Sequence, residues 1–363
     1  MKSPFRRLAG LFKKKKKKAR AKGEFSTANV GMRVLMIGVG QMGARTAVAL
    51  DKSGYTVAGV CDLSERQLAA IGKALPGATL YRDLRAVDVA RFDVVVVSTL
   101  AHTHRGLLEQ LVAAGCRRIV CEKPIADTLG DIAAIRALSE RPDVHIGVHH
   151  PRSWSPDYRA VRDLAAGGDL GALRSITAYG KATGFGNIGS HYLDLAMVLG
   201  GGRPIAVSAT MSRQLRASRG GGGATDPNGS AVFRMDNGVT FVLDTQTETS
   251  RGGLAGVWSL QLEHGQIEIW EGAGLWFATD YRTGLRTQRR FSVDVNGVVT
   301  GPGARRLFDA MICDLLAERD TGSLARACDA VEAIVAAHYS SRDHGAPMAL
   351  PLDPALPPIH RFS

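Results

Sequence analysis

The stretch Arg33-Val34-Leu35-Met36-Ile37-Gly38-Val39-Gly40-Gln41-Met42-Gly43 decides the fold of this chain. An apolar run, Met32–Ile37, ends in G-x-G-x-x-G, and the residues beyond it, Met42–Lys52, take helical spacing. Strand, glycine turn and helix in that order open a parallel sheet that holds a dinucleotide. Gly38 permits the tight turn, Gly40 lets the backbone approach a pyrophosphate, and Gly43 lets helix and strand pack closely. The phosphates are expected on the free N–H groups of the helix start, at Gln41 and Met42. Asp62 lies nineteen residues after Gly43, at the end of the next apolar run, Thr56–Cys61, where a carboxylate accepts hydrogen bonds from ribose hydroxyls. It repels the extra phosphate of NADP, so NAD is expected ahead of NADP. Arg66, one helical turn further on, is the residue that would reverse that preference.

Outward from this unit the same alternation continues. Apolar runs at Asp93–Ser98, Arg118–Cys121 and His145–Val148 are separated by helical candidates at Ser64–Ala74, His104–Ala114 and Leu129–Ser139. The unbroken Val94-Val95-Val96-Val97 suits a strand buried on both faces. Residues 32–150 are therefore expected to form a Rossmann-type, doubly wound parallel sheet. After residue 150 the pattern changes. Helices near Pro156–Ala166 and His191–Leu199 flank a strand near Leu173–Gly180. Hairpin turns follow at Asp236-Asn237-Gly238 and His264-Gly265. Residues 151–352 are expected to be an α+β domain with a largely antiparallel open sheet, its closing helices at Ala304–Glu318 and Leu324–Arg342 free to pack back on the first domain. The Gly-rich stretch Arg219–Thr225 reads as a mobile loop.

The charge is unevenly placed. Of a formal +12, residues 1–24 carry eleven Lys or Arg against Glu24, so the body is close to neutral and has no electrostatic footprint for nucleic acid. The run Lys13–Lys18 self-repels and is expected to be disordered. Two readings stay open for it: a weak contact to a membrane surface or other polyanion, or a solvated extension ahead of a folded unit that starts at Met32. The apolar segment Leu8–Phe12 after Arg6-Arg7 is too short for a signal peptide, and no later run is long enough to span a membrane. Five Cys with no paired spacing read as reduced thiols of a soluble, cytoplasmic protein, and no metal site is expected.

Ligands of such a sheet lie outside the carboxyl ends of the strands, so Thr99 and His102 are expected to line the cofactor site, with His104 held by a structural hydrogen bond. Glu122-Lys123-Pro124 ends the strand Arg118–Cys121 at the same edge. From position alone Lys123 is equally a surface lysine or an ammonium that holds a substrate hydroxyl.

Gly38-Val39-Gly40-Gln41-Met42-Gly43, Asp62, Glu122-Lys123-Pro124 and Gly189-Ser190-His191-Tyr192-Leu193-Asp194 together resemble the glucose-fructose oxidoreductase, inositol dehydrogenase and rhizopine-catabolism (Gfo/Idh/MocA) family. The resemblance runs from about Met32 to Leu352. It implies an NAD(P)-dependent dehydrogenase or reductase of a sugar, sugar derivative or cyclitol. It also implies a homodimer or homotetramer built through the open sheet. By the same resemblance Lys123 is the substrate holder and His191 the acid/base, with Glu122 and Lys123 also near the cofactor. His191 is expected in the first turn of its helix, where the dipole favours a neutral imidazole. His149, Arg152, Tyr192 and Asp194 are the expected substrate contacts.

The sequence departs from the family pattern where an aspartate precedes the histidine by four residues; here stands Asn187. An amide orients a partner but carries no charge. Asp194 is one candidate to replace it, and altered chemistry is the other reading. Two further functions follow from that departure: a redox-neutral reaction on tightly held NAD, such as glycosidic cleavage or elimination, and a non-catalytic dinucleotide-binding sensor.

Overall fold

The four valines of β4 (Val94–Val97) are all buried, which places them inside a sheet covered on both faces. The computed structural model describes residues 31–212, 225–247, 256–292, 302–317, 322–353 and 355–356. The run Lys13–Lys18 and nearly all of the Gly-rich stretch Arg219–Thr225 lie outside them.

Around β4 stand β1 (Arg33–Ile37), β2 (Thr56–Cys61), β3 (Thr79–Tyr81), β5 (Arg118–Cys121) and β6 (His145–Val148), in the order β3-β2-β1-β4-β5-β6 and all parallel. The order reverses between β1 and β4, so the crevice of this sheet opens above their carboxyl ends. Four helices cross between the strands: α1 (Gln41–Asp51), α2 (Glu65–Ala74), α3 (Ala101–Ala113) and α4 (Leu129–Ser139). The third helix starts at Ala101, one turn ahead of the expected His104, because Thr103 turns its hydroxyl back to the Leu100 carbonyl and the chain is already helical there.

A second sheet is mixed, not purely antiparallel. Its strands are β7 (Leu173–Lys181), β8 (Pro204–Met211), β9 (Gly229–Met235), β10 (Thr240–Thr247), β11 (Val257–Leu262), β12 (Gly265–Trp270), β13 (Leu275–Asp280), β14 (Arg286–Arg290) and β15 (Met348–Ala349). They lie in the order β14-β13-β12-β11-β7-β10-β9-β8-β15, and β7 pairs with β10 in parallel while the other pairs are antiparallel. Burial alternates along β9, β12 and β13, so one face is covered and the other is not. The covered face carries Phe233, Phe241 and Trp258, stacked in a row with ring centroids 5.7 and 6.1 Å apart. Loss of a fully buried aromatic here costs about 3–5 kcal/mol.

Two helices follow α5 (Pro156–Ala166) and α6 (Phe185–Gly200): α7 (Pro302–Leu316) and α8 (Ser323–Arg342). On α7, Phe308, Met311, Ile312 and Leu315 join Val34, Met36, Val94 and Val96 in one apolar cluster, so the chain returns to cover a face of the first sheet. α8 packs against α6, α4 and β8 and ties the two sheets together. Among the described residues no helix is long and apolar enough to cross a membrane. Cys61, Cys116, Cys121 and Cys328 are buried free thiols, their pKa pushed up by burial.

Candidate active site

The glycine loop is built as a phosphate cradle. Gly38 has φ +82°, and a Cβ there would meet the Ser98 carbonyl oxygen at 2.6 Å. A Cβ on Gly43 would lie 2.0 Å from the Gly38 carbonyl oxygen, whereas a Cβ on Gly40 would meet nothing within 4 Å. Two glycines thus close the turn against β4, and the third faces open space where a ligand approaches. Gly40 caps α1 and offers no side chain to its first amides, at Gln41 and Met42, which fits a pyrophosphate at that helix start. Asp62 stands at the same mouth. Its Oδ2 accepts from Val39 N–H and its Oδ1 from Ser64 N–H, each at 2.8 Å. This fixes the carboxylate between the glycine loop and the start of α2, and Arg66 is exposed on the first turn of that helix.

At the end of β4 the Thr99 hydroxyl bonds that of Thr103 at 2.7 Å, and His102 is exposed on the first turn of α3. His104 is fully buried, with its ring nitrogens 3.3 Å from the Ile125 carbonyl oxygen and 3.2 Å from that of Thr99. Burial lowers its pKa, and the neutral ring, with one N–H to give, donates to one of these two carbonyls between the loops after β4 and β5.

The chemical groups converge one strand further on. Lys123, directly after β5, donates from Nζ to Asn187 Oδ1 at 2.6 Å. Glu122 accepts from His149 Nδ1 at 2.8 Å, and its backbone neighbour Lys123 N–H also reaches its carboxylate. Burial raises the Glu122 pKa, but His149 and Lys123 outweigh it and hold the group below its ordinary value. Asn187 and His191 lie four residues apart, on one face of α6. The His191 ring is driven well below the usual histidine pKa, first by burial and then by the charges of Lys123, His150, Arg152 and His149. Its Nδ1 has no hydrogen-bond partner. The site therefore brings an ammonium onto α6 one turn before a neutral imidazole, a donor and a base.

α6 begins at Phe185, so His191 occupies its second turn and not the first; burial, in place of the helix dipole, keeps it neutral. Local sequence hides this start because Phe185-Gly186-Asn187-Ile188-Gly189 contains two glycines, poor helix formers. A distant segment supplies the missing partners. Gly184 N–H donates to Asn228 Oδ1 at 3.0 Å and Phe185 N–H to the Pro227 carbonyl at 2.8 Å. Gly186 N–H and Asn187 N–H donate to the two oxygens of Asp226 at 2.7 and 2.8 Å.

Three expected substrate contacts are committed elsewhere. Arg152 makes a bidentate pair with the buried Glu271, at 2.8 and 3.0 Å, and stacks over Tyr192. Glu271 also accepts from Tyr158. Tyr192 is 1% exposed and packs against Trp258 in the covered core. Asp194 is fully buried and accepts from Arg326 Nε at 2.9 Å and from Ser153. It faces His150 at 3.8 Å, and the His150 ring in turn lies edge-on to His191 with centroids 5.3 Å apart. His150, buried with both nitrogens unpartnered and a pKa lowered by burial to about 4, was not singled out in the sequence as a neighbour of the base. His149 is left at the site's edge, its ring against Phe308. Among the described residues no group of three His, Cys, Asp or Glu side chains is disposed to hold a metal ion.

Comparison with known proteins bears on the two domains and the fold. Residues 32–150 match an oxidoreductase family with an NAD-binding Rossmann fold, and residues 158–268 match the GFO/IDH/MocA C-terminal domain. The chain belongs to the Gfo/Idh/MocA oxidoreductase family. Within it, the chain is 33% identical over 211 residues to D-apiose dehydrogenase of Paraburkholderia graminis, covering 53% of this chain and 54% of that one. It is 31% identical over 151 residues to inositol 2-dehydrogenase of Leifsonia xyli subsp. xyli, covering 40% and 44%. The matches thus span about half the length of these relatives. The fold is similar to that of levoglucosan dehydrogenase in complex with NADH and levoglucosan, with a TM-score of 0.74 at 17% identity over 89% of this chain and 100% of the other. It is equally similar to an Agrobacterium radiobacter oxidoreductase in complex with NAD+, L-tartaric acid and magnesium, at TM-score 0.73 and 19% identity over 88% and 98%.

Proposed function

We propose that this protein is an NAD-dependent dehydrogenase or reductase acting on a CH–OH carbon of a sugar, sugar derivative or cyclitol. The observation that carries the reading is the Lys123 ammonium bonded to Asn187, one turn before His191 on α6, at the carboxyl edge of the dinucleotide-binding sheet. The relatives named as D-apiose and inositol dehydrogenases support the substrate class.

Nicotinamide bound beside this edge supplies a hydride acceptor. Lys123 donates to the substrate oxygen and stabilises the negative charge it gains as its proton departs. His191, uncharged in the resting site, accepts that proton; in the reducing direction it returns it. Asn187 orients the ammonium through its side-chain oxygen. Asp62, anchored by two amides at the ribose end, supports NAD over NADP, because a second anion there is repelled. The uncovered face of the second sheet, with Tyr179 and Val232 48% and 44% exposed on one side of it, supports assembly into a homodimer or homotetramer.

The test is reduced-nicotinamide absorbance with NAD and NADP offered separately against aldoses, inositols, other polyols and their oxidised forms. Turnover that disappears in His191→Ala is the expected result. Cofactor retained through purification with no net NADH across the panel overturns it in favour of redox-neutral chemistry. Light scattering of the purified chain reads the assembly.

A further inference from the structure

At neutral pH both His191 and His150 are uncharged, so what decides whether His191 can act as a base is which of its two nitrogens carries the hydrogen. Its buried nitrogen is Nδ1, which leaves Nε2 for the crevice. The side chain one turn earlier does not serve that buried nitrogen: Asn187 accepts from Lys123 through Oδ1 and turns Nδ2 to the Thr183 carbonyl oxygen at 3.4 Å. His149 is committed to Glu122. The ring that meets His191 is that of His150, edge-on with centroids 5.3 Å apart, 1% exposed and with neither nitrogen hydrogen-bonded. A buried polar group in that state is rare in a folded chain and points to a role beyond packing. His150 Nδ1 in turn faces Oδ1 of Asp194 at 3.8 Å, and that carboxylate is itself held by Arg326 Nε and Ser153. The turn that carries His150 is pinned twice, by Ser153 on Asp194 and by Arg152 on Glu271, so the ring has a fixed place.

We propose that His150 is a positioning residue of the active site: in the row Asp194, His150, His191, each ring directs its Nδ1–H at the acceptor behind it, which leaves Nε2 of His191 bare as the base. The proposal rests on the reading of His191 as that base. The order follows from valence. An ionised carboxylate only accepts, so the single hydrogen of the neutral His150 ring belongs on Nδ1, the nitrogen that faces Asp194. Nε2 of His150 is then an acceptor, and the buried Nδ1 of His191, against the same ring, supplies the hydrogen it lacks. At 3.8 Å the contact to Asp194 is longer than a hydrogen bond, as is common in catalytic pairs that tighten when substrate binds. The row gives His191, from behind, the orientation that the Asn187 amide, turned to Lys123 and Thr183, does not give.

The test reads the ring nitrogens directly and needs no substrate, so it stands apart from success or failure of the dehydrogenase assay. Full-length protein carrying nitrogen-15 histidine is recorded at neutral pH by long-range proton–nitrogen correlation, which separates bare from hydrogen-bearing nitrogens, and the His191 signals are assigned by their loss in His191→Ala. A single tautomer is expected in wild type, with the hydrogen on Nδ1 of His191 and Nε2 bare. Hydrogen on Nε2 of His191, wholly or in part, overturns the proposal. His150→Phe keeps a ring of similar size but no nitrogen, so a packing role would survive it, whereas His191 is expected to lose its single tautomer. An unchanged His191 tautomer in folded His150→Phe also overturns the proposal. Should His150→Phe not fold, the wild-type tautomer decides alone.

Discussion

The cofactor crevice and the proposed acid/base site lie on the same edge of one sheet but are made in different ways. The crevice is local: Gly38 to Gly43 and Asp62 fall within about one βαβ unit, and each atom that shapes it is fixed by backbone within thirty residues or by β4. The acid/base site draws Lys123 from the end of β5, His149 and His150 from the end of β6, Asn187 and His191 from α6, and Asp226 from the approach to β9. A local site survives changes elsewhere in the chain. An assembled site depends on every segment that reaches it, and this includes the ion pair Arg152–Glu271 that fixes the turn after β6 against the second sheet.

The comparison breaks most readily at the base. His191→Ala should lower turnover by about 10²–10⁴ while leaving NAD affinity within twofold, since the crevice is built without it; steady-state rates and calorimetric titration read the two halves separately. Next, Glu271→Ala should cost about 3–5 kcal/mol in urea unfolding, because it leaves the Arg152 guanidinium buried and unpaired. If the loss is under 1 kcal/mol, the pair does not secure the assembled site.

Acid should act through the buried histidines, of which His150 and His191 belong to the assembled site. His104, His150, His191 and His338 are held below the ordinary histidine value, in each case chiefly by burial. For a histidine at about 4 in the native protein and 6.5 unfolded, as for His150, the unfolded chain takes up the proton first, so stability is lost as pH falls from 6.5 towards 4. That is worth about 3 kcal/mol each for His150 and His338. Asp226 works the other way: its native value near 6 against 3.8 unfolded makes the native state take the proton first, so acidification stabilises it by a similar amount. Four histidines outweigh one aspartate, and the unfolding midpoint should fall steadily below pH 6.5. A flat midpoint down to pH 4.5 would contradict the burial of these rings.

The crevice gives smaller effects. Gly40→Ala should leave the thermal midpoint unchanged, since its Cβ meets no atom, yet weaken NAD by about tenfold or more (1.4 kcal/mol). Asp62→Ala should narrow the preference for NAD over NADP by several-fold, read from paired titrations.

The same contrast explains what could be read in advance. The first domain was legible because its strands, apart from the short exposed β3, are apolar runs, and its turn is a glycine pattern with a mechanical reason at each position. The second was legible in class but not in detail. β14 reads Arg286-Thr287-Gln288-Arg289-Arg290, a charged edge strand with no apolar period, and β8 begins on Pro204, tolerated at a strand start but a weak signal. The parallel pairing of β7 with β10 leaves no mark in either segment. At the site, Lys123 and His191 were named from motifs, whereas the partners that decide their state were not. Asp226 lies thirty-nine residues from Asn187 and Glu271 lies 119 from Arg152. Asp226-Pro227-Asn228 carries a turn-like signature but nothing that says which helix it caps.

The return of α7 to the first sheet has a consequence for biosynthesis. Val34, Met36, Val94 and Val96 are made early, yet the side chains that cover them, Phe308, Met311, Ile312 and Leu315, are made more than two hundred residues later. At ordinary elongation rates that interval is on the order of 10–40 s. Throughout it the nascent Rossmann unit presents a bare apolar face outside the ribosome, which makes it a natural client for a holding chaperone and a poor candidate for expression as a truncated fragment.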